Sequence, residues 1–117
     1  MSKIIWKFLT DIKQVDELVE QSHQQRSLIF KHSTRCPVSA LAKNRLESKW
    51  DFGEEEFAPY FLDLIAHRQV SNYIADKFGV AHESPQVLLI HDGACTYHAS
   101  HLDIEIGRLR HERSVSH

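Results

Sequence analysis

Two residues of this chain are equipped for covalent chemistry, Cys36 and Cys95, and their settings differ. Cys36 lies in Thr34-Arg35-Cys36-Pro37-Val38-Ser39, after a strand-like run and directly before a helical one. A sulfur at a helix N-terminus faces N–H groups without helical partners and the positive end of the macrodipole. Both favour thiolate over thiol and enlarge the fraction able to attack a disulfide at neutral pH. Arg35 and Lys31 are close enough in sequence to add positive potential. Pro37 suits the first helical position, where its missing N–H has no bond to make. Ser39 stands three residues on, where a dithiol oxidoreductase carries its second cysteine. A hydroxyl there can donate a hydrogen bond to a thiolate but cannot resolve a mixed disulfide, so the site reads as monothiol. Thr34 can supply a hydroxyl near Cys36 or simply serve the turn.

Cys95 follows a different argument. Asp92-Gly93 between Gln86–His91 and Ala94–Ala99 is a strong hairpin signal, and across that turn Cys95 falls opposite Ile90. Ile90 is five residues from Pro85, or ~17 Å along a strand. A disulfide needs Cα atoms within about 7 Å. If Pro85 abuts Cys36, Cys95 cannot be its resolving partner, and it reads as a packing residue.

The elements that must position Cys36 follow from periodicity. Ile12, Val15, Leu18 and Val19 mark a first helix, with Thr10 or Asp11 as N-cap. Arg26 to His32 holds Leu28-Ile29-Phe30, a buried type of strand. Val38, Leu41, Ala42, Leu46 and Trp50 give the helix that Cys36 precedes. Phe57 to Leu64 is a second central strand with Pro59 near its entrance. Val70, Tyr73, Ile74 and Phe78 form a third helix, which Gly79 stops. After the hairpin, Leu102, Ile106 and Leu109 form a modest last stripe, with Ser100 and Asp103 as an imperfect capping box. Ile4 to Phe8 can form a short opening strand, Asp51 to Glu56 reads as a solvated loop, and 111–117 as a frayed tail. Strand, helix, strand demands a right-handed parallel crossover, and the hairpin adds antiparallel strands. The expectation is one α/β domain over 1–117, its core about 5–110.

Other candidates cluster around this frame. Ser84 before Pro85 must be extended. A cis Ser84–Pro85 bond would present the Ser84 backbone to a substrate in strand fashion, whereas a trans bond would make Pro85 only a strand starter. Ser100 and His101, read as opening the last helix, offer free N–H groups to an anion or a simple cap. His67 and Arg68 follow a strand end, where ligands gather in α/β sheets, or form a solvated turn.

At 117 residues with net charge -2 and a pI near 6.5, the chain gives no electrostatic case for nucleic acid or an anionic membrane. No apolar run approaches the ~20 residues of a spanning helix, and the N-terminus lacks signal-peptide features. A cytoplasmic, reducing setting is expected, with both cysteines as thiols. The nine histidines are scattered without metal-ligand spacing, so no metal is expected.

Thr34-Arg35-Cys36-Pro37-Val38-Ser39, followed at this separation by His82-Glu83-Ser84-Pro85-Gln86, resembles the monothiol bacilliredoxin family, a branch of the thioredoxin superfamily, over roughly Ile5 to Arg110. The resemblance implies a thioredoxin-like fold, with a central mixed sheet, a C-terminal β-hairpin and helices on both faces. It also implies a cis Pro85 beside Cys36 and a role in redox homeostasis. Cys36 would remove bacillithiol from S-thiolated client proteins, with bacillithiol as co-substrate and no permanently bound cofactor. A second low-molecular-weight thiol or another redoxin would act as reductant, since Ser39 cannot. In glutaredoxin-like relatives the last helix start receives a thiol carboxylate, a role that would fall to Ser100 and His101. Two alternatives stand beside this reading. One is an iron–sulfur carrier, against which Pro37 stiffens the loop and no second cysteine is placed to help. The other is a non-catalytic stress or binding module on the same fold.

Overall fold

A computed structural model of the chain describes residues 4–53 and 56–113. In chain order the elements are β1 (Lys7–Phe8), α1 (Ile12–Gln21), β2 (Arg26–His32), α2 (Pro37–Lys49), β3 (Phe57–Asp63), α3 (Arg68–Phe78), β4 (Gln86–His91), β5 (Ala94–Ser100), a 3₁₀ turn (His101–Asp103) and α4 (Ile106–Arg113). The sheet runs β1-β3-β2-β4-β5. β1, β3 and β2 are parallel, and the β4–β5 hairpin is added antiparallel to β2. This is the mixed sheet with helices on both faces that the order of elements requires.

β2 is the centre of the sheet, and Ser27 through His32 are all buried. A strand covered on both faces reads as a continuous run rather than an alternation. Leu28 and Phe30 turn to one face, where Ala42 and Leu46 of α2 and Ile106 and Leu109 of α4 close over them. Ile29 turns to the other, against Val15 and Leu18 of α1 and Val70 and Ile74 of α3. Alternation along β2 therefore decides which helix each neighbour meets.

The helix ends follow local chemistry. Asp11 caps α1 in a capping box with Gln14. Gly79 ends α3 at φ 67°, a left-handed position that glycine adopts without steric cost. Asp92 and Gly93 close the hairpin at φ 53° and 79°, the pair of positive values that a two-residue turn matched to strand twist needs. A register shift at Leu89/Ile90 pairs Leu89 with Tyr97 and Ile90 with Cys95. The extra residue sends Tyr97 to the α2 face and Cys95 to the α1–α3 face.

Three boundaries differ from the periodic reading. The opening strand contracts to the two residues of β1. The last helix starts at Ile106, not at Ser100 and His101, and Ser100 makes no side-chain cap. The spacing of Leu102, Ile106 and Leu109 suggested one helix, but Leu102 is exposed. Ile104 is buried in its place, in an extended conformation two residues before Ile106. α4 also continues through 111–113, and the remainder of the expected tail, 114–117, lies outside the described residues. In the loop expected over 51–56, the Glu56 carboxylate accepts the Gly53 N–H at 3.0 Å, and Glu54 and Glu55 lie outside the described residues. Among the described residues no helix is long and apolar enough to cross a membrane.

Candidate active site

Strand register brings the candidate residues to one end of the sheet. Lys31 pairs with Gln86, His32 with Asp63, and Gln86 with Ser100. The turn that carries Cys36 leaves β2 at this end. The His67–Arg68 turn leaves β3 there, Ser84–Pro85 enters β4 there, and Ser100–His101 leaves β5 there. The 3₁₀ turn after β5 packs against α2.

Cys36 is half-buried and is itself the N-cap of α2, with extended φ -112° and ψ 114° and Pro37 as the first helical residue. Its N–H donates to Ser33 O at 3.2 Å, and its carbonyl accepts from Ser39 N at 3.0 Å and Ala40 N at 3.3 Å. Its sulfur makes no capping bond. Thr34, Arg35 and Pro37 are exposed around it.

Ser39 departs from its expected role as a donor to the sulfur. It is fully buried, and its hydroxyl stands 2.7 Å from His32 Nδ1 while accepting the Ser33 N–H at 3.0 Å. The hydroxyl is taken by the strand end and the turn, not by Cys36.

The Ser84–Pro85 peptide bond is cis, and Pro85 is buried. Pro85 O accepts the His101 N–H at 3.0 Å, and the His101 imidazole faces Glu83 at 3.6 Å. The anion seat expected at Ser100 and His101 is thus not formed. No α-helix begins there, the His101 N–H already donates to Pro85 O, and its ring lies beside the Glu83 carboxylate.

Behind the Ser84–Pro85 loop lies a polar cluster in which Lys31, Ser71 and Gln86 are buried and His82 is exposed. Lys31, with no exposed surface, donates from Nζ to Ser71 O of α3 at 3.3 Å. Ser71 Oγ lies 3.2 Å from His82 Nδ1, and Gln86 Nε2 donates to Ala81 O at 3.1 Å. Burial pushes the Lys31 ammonium down to about 8. Desolvation, then the Lys31 and Arg68 charges, hold His82 below the ordinary imidazole range, with Glu83 pulling the other way. Arg68, exposed at the start of α3, therefore faces this cluster. Half-buried His67 caps α3 only through its backbone.

His32, Ser71, His82 and Gln86 were not singled out as site residues from sequence, and Lys31 was read only as added charge. The signal available was Lys31-His32 itself, a basic pair ending a strand whose preceding residues demand cover on both faces.

Cys95 sits at the opposite end of the sheet, paired with Ile90. Its thiol donates to Tyr97 O at 3.4 Å, and burial pushes its pKa up. Among the described residues no group of three or more His, Cys, Asp or Glu side chains is arranged to hold a metal ion.

A family model described as monothiol bacilliredoxin BrxC matches residues 7–109. A solved structure, described as a candidate oxidoreductase with a thioredoxin fold, is 31% identical, covers 89% of each chain and superposes with a TM-score of 0.77. The thioredoxin Mala s 13 of Malassezia sympodialis superposes with a TM-score of 0.74 at 10% identity, covering 97% of this chain and 92% of its own. Fasciola hepatica thioredoxin gives 0.69 at 15% identity, covering 92% and 96%. These last two similarities carry the fold alone.

Proposed function

The chain belongs to the monothiol bacilliredoxin family and works in redox chemistry, and from that premise we propose that it removes bacillithiol from S-thiolated client proteins through Cys36. The observation that carries the reading is the isolation of one sulfur. Cys36 caps α2 at the sheet end that holds cis-Pro85, Ser39 stands where a second cysteine would be, and Cys95 pairs at the far end.

The Cys36 thiolate attacks the bacillithiol sulfur of the mixed disulfide. A new S–S bond forms between Cys36 and bacillithiol, the old one breaks, and the client sulfur leaves with the electron pair as a thiolate. Approach over the Ser84 backbone, in the loop before β4, lets an extended client segment pair with that loop in strand fashion. Arg35, exposed on the turn, offers a cation to the carboxylates of the incoming thiol. With no internal thiol to resolve it, the Cys36–bacillithiol disulfide is reduced by a second low-molecular-weight thiol or by another redoxin. The setting is a reducing cytoplasm, without nucleic acid or membrane as partner.

Intact mass spectrometry tests this directly. A client peptide carrying one bacillithiol, mixed with the reduced protein, should yield free peptide and a single bacillithiol adduct on Cys36. A peptide that keeps its bacillithiol, an adduct on Cys95, or an internal disulfide would each refute the assignment.

A further inference from the structure

We infer that His32 positions Cys36, acting through the Ser39 hydroxyl. The inference rests on Cys36 being the reacting sulfur, and not on which thiol it accepts.

Ser39 holds the active-site turn at both ends. Its hydroxyl oxygen accepts the Ser33 N–H at 3.0 Å, at the start of the turn. Its own N–H donates to Cys36 O at 3.0 Å, at the end of the turn, and Cys36 N closes the loop onto Ser33 O at 3.2 Å. The side chain is sealed from solvent, so its single hydroxyl proton needs a buried acceptor. His32 Nδ1, at 2.7 Å, is that acceptor when the ring carries its proton on Nε2. If Nδ1 gains a proton, the direction reverses. The imidazolium then donates to Ser39 Oγ beside the Ser33 N–H, both lone pairs are used, and the hydroxyl proton loses its partner. The clamp is therefore complete only with neutral His32.

The surroundings of His32 favour that state. The ring lies 5.8 Å from Phe30 and 5.3 Å from Phe61, on the α2 face of the sheet. The charges acting on it are Lys43 and Glu47 of α2 and Asp63 at the end of β3, and Trp6, just before β1, holds Glu47 through its indole N–H at 2.7 Å. Burial and Lys43 depress the imidazole, and Asp63, the hydrogen bond with Ser39 and Glu47 offset this only in part. Glu47 is itself tied to Lys43 at 2.9 Å, which screens its pull on the ring.

The test uses the full chain with Cys95→Ser and the small probe dithiodipyridine. Thiolate attack by Cys36 forms a Cys36–pyridyl disulfide and releases one thiopyridine, read by absorbance from about pH 5 to about pH 8, the range over which a histidine titrates. The parent protein should lose rate more steeply with falling pH than one titrating proton allows. His32→Asn, whose carboxamide oxygen can accept the Ser39 proton and does not titrate, should show a one-proton profile with its neutral-pH rate largely kept. His32→Phe should slow the reaction about tenfold, and the double variant with Ser39→Ala should lose less than the two single losses combined, because both remove the shared His32–Ser39 bond while Ser39→Ala also removes the acceptor of the Ser33 N–H. Identical profiles for the parent and His32→Asn, or losses that add in the double variant, would overturn the inference. Ring nitrogen chemical shifts of the unmutated protein decide it without a variant. A bare, hydrogen-bonded His32 Nδ1 at neutral pH supports the clamp, and a protonated Nδ1 refutes it. Because the probe contains no bacillithiol, failure here leaves the proposed substrate standing, and failure of the mass experiment leaves the clamp standing.

Discussion

The sheet carries a cysteine at each end, and the two ends are built from different materials. At the Cys95 end the chain closes with a hairpin whose backbone is held by a neighbouring one. Ser22 O accepts the Asp92 N–H at 3.0 Å, and Ser22 Oγ accepts the Gly93 N–H at 2.9 Å. At the Cys36 end the chain buries two basic side chains, Lys31 and His32, beside a cis peptide bond, and His101 takes a positive φ of 55°. Burying polar and basic groups is costly unless their partners are complete. The hairpin end holds its turn with one backbone bond and one serine-hydroxyl bond, and Ser27 Oγ and His91 Nδ1 are buried there without a hydrogen-bond partner among the described residues. The other end keeps two buried basic side chains that a purely structural strand end would not need, and that difference supports the proposal that chemistry takes place there.

The largest effect expected from this contrast is total. Cys36→Ser should abolish bacillithiol transfer from a thiolated peptide, because a serine hydroxyl forms no mixed disulfide, while the fold stays intact by circular dichroism. Residual transfer at more than a few per cent of the parent rate would mean that the hairpin end is not chemically silent.

Lys31 sharpens the contrast through stability. Among the described residues its ammonium has one hydrogen bond, to Ser71 O, and Gln86 Oε1, at the paired position of β4, has no partner. Burial depresses Lys31 from 10.5 to about 8, so between those values the unfolded chain holds a proton that the folded chain has lost. The unfolded state then binds more protons, and stability rises with pH across that window. Below about pH 8 the penalty is fully present. Lys31→Met keeps the length of the side chain and removes the charge. It should stabilise the protein at neutral pH by up to about 3 kcal/mol, less the lost Ser71 bond. It should also remove the rise in stability above about pH 8. Urea melts at neutral and alkaline pH measure both, and a variant that is less stable by the same amount at every pH would show that the charge is not the penalty.

How much of this was legible depended on the range of the interaction concerned. Cys36, Pro37 and Ser39 could be placed because a cap, a first helical residue and its third neighbour are fixed by local geometry. The hairpin and the Ile90–Cys95 pair came from Asp92-Gly93 for the same reason. The direction of the Ser39 hydroxyl was not legible, because its partner His32 belongs to the preceding strand and meets it only once α2 docks on the sheet. Lys31 stood near Cys36 in sequence, yet strand alternation carries its ammonium to α3. The last helix was misplaced because Leu102, Ile106 and Leu109 fit a helical period. The decisive burial is that of Ile104, and only the packed core shows it.

The smallest effect should come from Cys95, and it tests the far end by its silence. Cys95 packs beside Ile90 on the α1–α3 face, and its thiol spends its one proton on Tyr97 O. Serine at this position keeps a donor for that carbonyl and loses only part of the sulfur's apolar contact. Cys95→Ser should therefore change stability by no more than about 1 kcal/mol and leave the transfer rate within about twofold, below what the loss of one hydrogen bond at the reacting centre produces. Burial holds the Cys95 thiol above the ordinary range, so alkylation near neutral pH should mark Cys36 well before Cys95 in the unmutated protein. Site-resolved mass spectrometry of a timed alkylation, run beside the transfer assay on Cys95→Ser, reads both. If Cys95 is alkylated as fast as Cys36, or if its replacement slows transfer as much as loss of Cys36 does, the hairpin end takes part in the reaction. The ~17 Å of strand between Ile90 and Pro85 would then have to be crossed by a rearrangement of β5.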